Sequence, residues 1–266
     1  MVPRSAALLT LLVSLTPVGT AAAAAPIPRG VVVYQRDTLL QGIHVRLNLP
    51  LGVVHLWQPP GYDPASAGLV VYMHGFGSSA DRAWRGSHLA HQFLASRRNA
   101  LFVVPDCPSS AEQRLAWPRM SQLLAVVART DLALPEAGAH VVLVGHSSGH
   151  QTVARWITDP TVAEVLLLDG FASQRRVFAA WLRHSPAHRL VLVGARADGP
   201  ARAWLRQLSP RLARRARDTV PAQLSGPEAS VALLYLRSQY GHVQMVRSQR
   251  VIPLLVNQTR LGPLMW

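Results

Sequence analysis

The sequence predicts an α/β fold: a doubly wound, mostly parallel sheet of about eight strands with helices on both faces. From about residue 31, short apolar runs alternate with segments in which apolar residues recur at helical spacing. Many of the runs are apolar at every position, as expected of strands that helices cover on both faces. Because strand and helix alternate in βαβ order, we expect parallel pairing, with any site beyond the carboxyl ends of the strands.

The predicted strands are rich in β-branched and apolar residues, and half of them are directly followed by Gly, Pro or Asp. They cover residues 31–34, 53–57, 69–73, 101–104, 141–144, 165–168, 190–193 and 231–236. The segments with helical spacing lie between and after these runs. They cover residues 84–97, 120–130, 151–158, 177–184, 201–217 and 243–256.

The first 25 residues have the pattern of a secretory signal peptide. Arg4 gives a positive start, residues 6–18 are mostly apolar, and the alanines at residues 21–25 offer small side chains for cleavage. The apolar core is short for a bilayer span, which needs about 20 residues. We therefore expect export to the periplasm or the extracellular space. Cleavage would leave residues 26–266 as a single domain with no transmembrane span.

The composition is strongly basic and holds enough apolar residues, 49%, for a large core. The net charge is +14, all basic side chains other than histidine are arginine, and the densest cluster is residues 211–217. We expect this cluster to form a solvated helix face, with at most weak contact to an anionic surface. No aromatic residues are interleaved with it, so specific nucleic-acid binding is not expected. The single cysteine, Cys107, is expected to be a packed residue rather than a nucleophile.

The strongest local signal is Gly145-His146-Ser147-Ser148-Gly149, which follows a predicted strand and precedes a predicted helix. G-x-S-x-G in that setting is typical of a nucleophile elbow, in which the central serine occupies a tight, strained turn. The glycines leave room for the strand and the helix to approach closely. The serine oxygen then stands above the helix N-terminus, whose partial positive charge favours a developing anion. Ser147 is therefore the predicted nucleophile.

A serine hydroxyl needs a base, and on this kind of sheet the base follows the nucleophile along the chain. Four histidines lie downstream of Ser147. His150 is in the first turn of the helix after the elbow, while His184 and His188 precede a strand and so lie at the wrong end of the sheet. His242 comes just after the last predicted strand, at the carboxyl end where the site is expected, and is the predicted base.

The base needs a carboxylate to orient its ring. Asp169 and Asp198 both follow predicted strands at their carboxyl ends. We favour Asp198, because the strand before it is next to the last strand and brings its loop nearer His242. Asp169 is the alternative acid, and its other roles would be to cap the following helix or to line the site.

Acyl transfer also needs hydrogen-bond donors for the tetrahedral oxyanion. The backbone N–H of Ser148 is one expected donor, since it directly follows the nucleophile. The second is expected from the glycine-containing loop at residues 74–79, at Phe76 with Gly77 as the substitute. His74 begins this loop and is expected to brace it.

These motifs together resemble the α/β-hydrolase superfamily, over nearly the whole chain after the signal segment. The residues that carry the resemblance are 74–77, 145–149, Asp198 and 241–242. The resemblance implies a central sheet of about eight strands and a Ser-Asp-His triad. The superfamily includes esterases, lipases, thioesterases, peptidases and dehalogenases, so the resemblance does not name a substrate. The dehalogenases carry an aspartate where this chain has a serine.

The resemblance and the motifs together predict a serine hydrolase that cleaves carboxylic esters through an acyl-enzyme intermediate. Its substrate would be a small-molecule or lipid-like acyl compound. A peptidase or amidase on the same triad is the alternative, followed by a non-catalytic binding protein on this scaffold. Only about 20 residues separate Gly170 from Leu190, so no extended helical cap is expected. The sequence holds no spaced metal-ligand set and no phosphate-binding glycine loop, so neither a metal nor an organic cofactor is expected.

Overall fold

A computed structural model describes residues 33–208 and 212–265, and the predicted signal peptide lies outside the described residues. Within those ranges the chain forms one sheet of ten strands. They are β1 (Val33–Leu39), β2 (Gly42–Leu49), β3 (Gly52–Gln58), β4 (Gly68–Met73), β5 (Ala100–Pro105), β6 (Val141–His146), β7 (Val162–Leu168), β8 (Arg189–Gly194), β9 (Arg214–Arg217) and β10 (Leu233–Arg237).

The sheet has the spatial order β1-β2-β3-β5-β4-β6-β7-β8-β10-β9. Neighbouring strands are antiparallel from β1 through β3 to β5, and parallel from β5 to β9 at the other edge. The predicted α/β class and mostly parallel sheet are confirmed, with ten strands in place of eight. One added strand is β2, where the polar residues His44, Arg46 and Asn48 alternate with apolar ones. Such alternation suits the antiparallel part of the sheet and lacks the continuous apolar run of the central strands.

The described helices are short. They are α1 (Ala80–Gly86), α2 (Leu89–Ala95), α3 (Met120–Val127), α4 (His150–Trp156), α5 (Arg175–His184), α6 (Asp198–Gln207), α7 (Gly226–Ser230), α8 (Gln244–Arg247) and α9 (Val251–Asn257). Two predicted helices are each split in two. His88, with φ 49°, separates α1 from α2, and Gln249, with φ 55°, separates α8 from α9. A residue in the left-handed region cannot continue a right-handed helix.

The core lies in two layers, one on each face of the sheet. On β4, Val70 belongs to one layer and Val71 to the other; on β6, Val142 and Leu143 divide in the same way. All four residues are fully buried. Successive side chains of a strand point to opposite faces, so a strand apolar at every position fills both layers.

The connection from β7 to β8 contains a single-turn helix at Ala172–Gln174 and then α5, and it forms no extended cap. Phe178 and Leu182 of α5 are buried against the sheet. The expectation of little or no cap is therefore confirmed. No helix in residues 33–208 and 212–265 has the length and apolarity needed to cross a membrane.

The arginine-rich segment near residue 214 is an edge strand rather than the end of a helix. The helix predicted at residues 201–217 ends at Gln207, and β9 pairs with β10 from Arg214 to Arg217. All four residues of β9 are exposed. Helical spacing cannot be distinguished from strand alternation in so short a basic run, and edge pairing decides the outcome.

A buried ion pair anchors the amino-terminal ends of two strands. Glu164 of β7 and Arg189 of β8 are essentially inaccessible, and Arg189 Nη1 donates to Glu164 Oε2 over 2.9 Å. Glu164 Oε1 also accepts from His140 Nε2 over 2.9 Å and from the Arg260 backbone N–H over 2.7 Å. This network fixes β7 and β8 relative to each other at their amino-terminal ends. The predicted site lies at the opposite, carboxyl ends of the strands.

Candidate active site

The turn between β6 and α4 holds Ser147 at its tip, with φ 52°. This left-handed value is strained for serine and matches the tight turn that the motif predicts. A Cβ at Gly170 would lie 2.0 Å from the carbonyl oxygen of Ser147, and one at Gly75 would lie 2.7 Å from Ser147 Cβ. A Cβ at Gly149 would lie 2.4 Å from the Met73 carbonyl oxygen. The elbow can form because three surrounding positions carry no side chain.

His242 lies in the loop after β10, and Asp169 directly follows β7. The Nδ1 atom of His242 lies 2.6 Å from Oδ2 of Asp169. The Asp169 side chain is inaccessible, whereas 20% of the His242 side chain is exposed. Since a carboxylate only accepts, Nδ1 carries the proton, and Nε2 of the neutral ring is left to act as an acceptor.

The Asp169 carboxylate is held by the backbone of the loop after β8. Its Oδ1 accepts the N–H groups of Ala195 and Ala197, each over 2.8 Å. Burial raises the pKa of Asp169, but the hydrogen bonds from Ala197, His242 and Ala195 outweigh it and hold the pKa below its usual range. The carboxylate is therefore charged at neutral pH, and it can orient His242 and stabilise the protonated ring.

Asp198, the acid favoured from the sequence, is engaged elsewhere. It begins α6, where its carboxylate accepts a hydrogen bond from the Tyr235 hydroxyl and another from Arg202 Nε, 3.0 Å away. The preference for Asp198 as the partner of His242 is therefore wrong, and the alternative, Asp169, occupies that position. The loop containing Asp198 does reach the site, but it contributes backbone N–H groups that bind Asp169.

One cavity of about 170 Å³ is lined by both Ser147 and His242, together with the loop after β4. Among the described contacts, no hydrogen bond joins the Ser147 hydroxyl to the His242 ring. Such bonds are often long in free enzymes and tighten when substrate binds. The cavity therefore places a strained serine beside an imidazole that a buried carboxylate orients.

His146, which precedes Ser147, packs against the proposed base. Its ring centroid lies 4.7 Å from that of His242, and its Nε2 donates to the His242 carbonyl oxygen over 3.1 Å. Burial, with a smaller contribution from the charge on His242, lowers the pKa of His146 to about 4. The ring is thus neutral near pH 7, and it ties the loop of His242 to the elbow.

The predicted oxyanion donors lie on two facing loops. The Phe76 N–H donates to the Ser148 hydroxyl oxygen over 2.7 Å, whereas the Gly77 N–H donates to the Ser109 carbonyl oxygen over 2.8 Å. Gly77, the substitute donor, is therefore already engaged by the protein. Rotation of the Ser148 side chain would make the Phe76 N–H available to another acceptor.

His74 holds the base of the Phe76 loop, in agreement with the expected bracing role. Its Nδ1 donates to the Gly75 carbonyl oxygen, and its Nε2 accepts the Cys107 N–H, both over 3.0 Å. Cys107 itself is buried, and burial raises the pKa of its thiol to about 12. The prediction that Cys107 is a packed residue is confirmed.

Two large apolar side chains stand at the rim of the cavity. Phe76 is 39% exposed and Val243 is 48% exposed, and both line the cavity that contains Ser147. The other exposed large apolar side chain in the described residues is Met265, near the C-terminus. Exposed apolar surface is thus concentrated where a substrate would bind.

Sequence reasoning overlooks three residues that support the site. Gly170 admits the Ser147 backbone, His146 contacts His242, and His150 donates from Nδ1 to the Ser147 carbonyl oxygen over 2.6 Å. His146 lies within the elbow motif and His150 directly follows it, which was the available signal. Gly170 carried no signal, because its contact with residue 147 depends on the packing of two neighbouring strands.

Known proteins with a similar sequence pattern or structure share this α/β fold. A model of the alpha/beta hydrolase family matches residues 70–259. No curated protein matches the sequence. An S-formylglutathione hydrolase from Agrobacterium tumefaciens is similar in structure, with a TM-score of 0.54 and 11% identity over 87% of this chain and 99% of the other. The feruloyl esterase module from Clostridium thermocellum, solved as an S954A mutant with sinapinate, is also similar in structure. Its TM-score is 0.52, with 12% identity over 85% of this chain and 87% of the other.

Proposed function

Because the chain belongs to the alpha/beta hydrolase family, we propose that it is a serine esterase that hydrolyses small carboxylic esters. Ser147 is the nucleophile, His242 the general base and Asp169 the acid that orients it. The observation that carries the proposal is the hydrogen bond between the buried Asp169 and His242, whose ring lines the same cavity as the strained Ser147. A hydroxyl becomes a useful nucleophile when an oriented imidazole takes its proton.

In the proposed reaction, Ser147 Oγ attacks the ester carbonyl carbon while His242 Nε2 accepts the hydroxyl proton. The negative charge that develops on the carbonyl oxygen is stabilised by the N–H groups of Phe76 and Ser148. The intermediate collapses, the C–O bond to the alcohol breaks, and the alcohol leaves with the proton from His242. Water then attacks the acyl-enzyme with the same proton transfers, which releases the carboxylic acid and regenerates Ser147.

The size and lining of the cavity favour small substrates with an apolar group. The cavity that contains Ser147 is small, about 170 Å³, and its exposed rim carries Phe76 and Val243. An apolar acyl or aryl group would be partly desolvated by contact with these side chains. The similar structures are an S-formylglutathione hydrolase and a feruloyl esterase module, which agrees with acyl transfer to water.

Covalent labelling with a fluorophosphonate tests the nucleophile, with adjacent serines as a matched pair. Ser147→Ala should abolish labelling and lower kcat for an aryl acetate by roughly 10⁴-fold or more. Ser148→Ala should still be labelled, because alanine keeps the backbone N–H at position 148. Labelling that survives in folded Ser147→Ala would refute the proposal, and an unreactive wild-type protein would favour a binding role on this scaffold. Parallel assays with peptide substrates would detect the amidase alternative.

We also propose that the chain is exported and that its signal segment is removed near residues 24–26. The support is the positive, apolar and alanine-rich pattern of the first 25 residues. N-terminal sequencing of the protein recovered outside the cytoplasm should begin in that range. Recovery of a cytoplasmic protein that begins at Met1 would contradict the proposal.

A further inference from the structure

The side chains of formal charge that line the cavity of Ser147 are both arginines. Its lining includes Arg82 and Arg247, and none of the described residues that line it is an aspartate or a glutamate. The cavity carries the sign of the whole chain, whose net charge is +14. A cleft lined by one sign of charge concentrates ligands of the opposite sign.

Arg247 is the more informative of the two arginines. It ends α8, whose residues Met245 and Val246 are buried, and the buried side chain of Gln92 donates to the Val246 carbonyl oxygen over 2.7 Å. The backbone beside the cavity is thus fixed. Within residues 33–208 and 212–265, the Arg247 guanidinium has no carboxylate partner within 4.0 Å. Arg247 is exposed beside this cavity, and an arginine without an internal partner is available to a ligand.

Arg82 faces the same cavity from α1. Its Nη1 donates to the carbonyl oxygen of Gly77, in the loop that contains Phe76, over 2.5 Å. The remaining N–H groups of a guanidinium can serve a second acceptor. Arg247 lies near the other end of the same helix, with Nη2 4.0 Å from the position of a Cβ at Gly86. A guanidinium group therefore lies near each end of α1 on the side of the cavity.

We propose that the substrate is an anionic ester, whose carboxylate or other negatively charged group binds Arg247, with Arg82 as a second contact. This inference rests on the proposed esterase function and adds the substrate class. The apolar part of the substrate contacts Phe76 and Val243, and its scissile carbonyl lies at Ser147. Arginine suits this role because its planar guanidinium binds carboxylates through paired hydrogen bonds.

The test compares matched esters that differ in one charge. On the alcohol side the pair is 3-acetoxybenzoate and 3-acetoxybenzamide; on the acyl side it is the mono-4-nitrophenyl and the methyl 4-nitrophenyl esters of adipic acid. We expect the wild-type protein to favour the anion of at least one pair in kcat/KM. Arg247→Gln should lower that anion-to-neutral ratio about 10-fold, and Arg247→Lys should lower it less. Equal kcat/KM values within both pairs would overturn the inference.

Removal of a charge elsewhere separates local binding from long-range attraction. Arg129 is exposed and outside the cavity, so Arg129→Gln changes the net charge as Arg247→Gln does. The assay is run at 0.15 M salt, where charges farther apart than about 8 Å are largely screened. The ratio should be unchanged in Arg129→Gln. An equal fall in both variants would show that only the net charge matters, and would overturn the proposed site.

Failure of the esterase proposal is distinguishable from failure of this inference. Absence of hydrolysis, together with absence of fluorophosphonate labelling, would refute the esterase function. Calorimetry with 3-acetoxybenzoate and the adipate half-ester then decides the anion site without catalysis. Binding that weakens about 10-fold in Arg247→Gln but not in Arg129→Gln supports the site, and equal or absent binding refutes it.

Discussion

The Nδ1 atom of His242 lies 2.6 Å from the Oδ2 atom of Asp169, although the two residues are 73 positions apart in the chain. The neighbouring loop supplies two backbone N–H groups to the same carboxylate. Asp169 is therefore both the partner of the imidazole and the point where three loops meet. The effect of replacing Asp169 can therefore be compared directly with that of replacing Asp198, which also follows a strand.

We expect Asp169→Asn to lower kcat far more than Asp198→Asn. An amide at residue 169 can present N–H to His242 and favour the wrong tautomer, which costs about 10⁴-fold in a serine protease. Asp198→Asn alters the contacts with Tyr235, Arg202 and Arg237. It should keep kcat within about 10-fold, or about 1.4 kcal/mol. Steady-state kinetics on both folded variants is the measurement. The opposite ranking would return the role of acid to Asp198.

Gly170→Ala should disrupt the elbow. The new Cβ would lie 2.0 Å from the Ser147 carbonyl oxygen, so the backbone at Ser147 must shift. We expect a loss of about 1–3 kcal/mol in the free energy of unfolding, with at least a 10²-fold loss in kcat. Gly199→Ala is the matched control, because no atom lies within 4 Å of its Cβ position in α6. If both variants are equally active, the close contact has no functional consequence.

Glu164→Gln should destabilise the protein by about 3–5 kcal/mol, because it leaves Arg189 buried without its charged partner. Two nitrogen atoms of Arg189, Nε and Nη2, already lack hydrogen-bond partners among the described residues. The double variant Glu164→Leu, Arg189→Leu removes both charges and should be less destabilised than Glu164→Gln. Urea denaturation of the three proteins would check this. If the double variant is the least stable of the three, the ion pair contributes more to the free energy of unfolding than the apolar packing that replaces it.

His146 should reduce the stability of the wild-type protein at acidic pH. Its pKa is about 4 in the folded chain and about 6.5 when unfolded, so between these values the unfolded state binds the extra proton. The free energy of unfolding should therefore fall as pH decreases from 6.5 to 4, with roughly 1–3 kcal/mol from this residue. His146→Gln should flatten that part of the profile. Urea midpoints at several pH values are the readout, and parallel profiles for the two proteins would contradict the assignment.

The placement of Ser147 and His242 at one cavity could be predicted because each residue carries a local signal. The serine lies in G-x-S-x-G between a strand and a helix, and the histidine is the one that follows the last strand. The two aspartates gave equal local signals, since both follow strands. Their roles depend on side-chain direction: Asp169 has φ 54° and turns toward His242, whereas Asp198 starts a helix and contacts Tyr235. That direction is set by packing and not by the order of residues.

The central strands were predictable for a related reason. Val141–His146 and Arg189–Gly194 are almost wholly buried, and burial on both faces leaves a continuous apolar run in the sequence. The two strands that were not predicted, β2 and β9, carry no such run. β9 is the extreme case, because pairing with β10 alone distinguishes it from the end of the preceding helix.

The exposed position of β9 affects how the protein behaves at high concentration. A bare sheet edge offers unpaired backbone groups on which a second molecule can add a strand. Here the edge carries Arg214, Arg215 and Arg217, all exposed, within four residues. Two such edges brought together would set guanidinium groups against one another, and like charges facing across a pair of strands are unfavourable. The arginine-rich edge therefore discourages self-association through this side of the sheet.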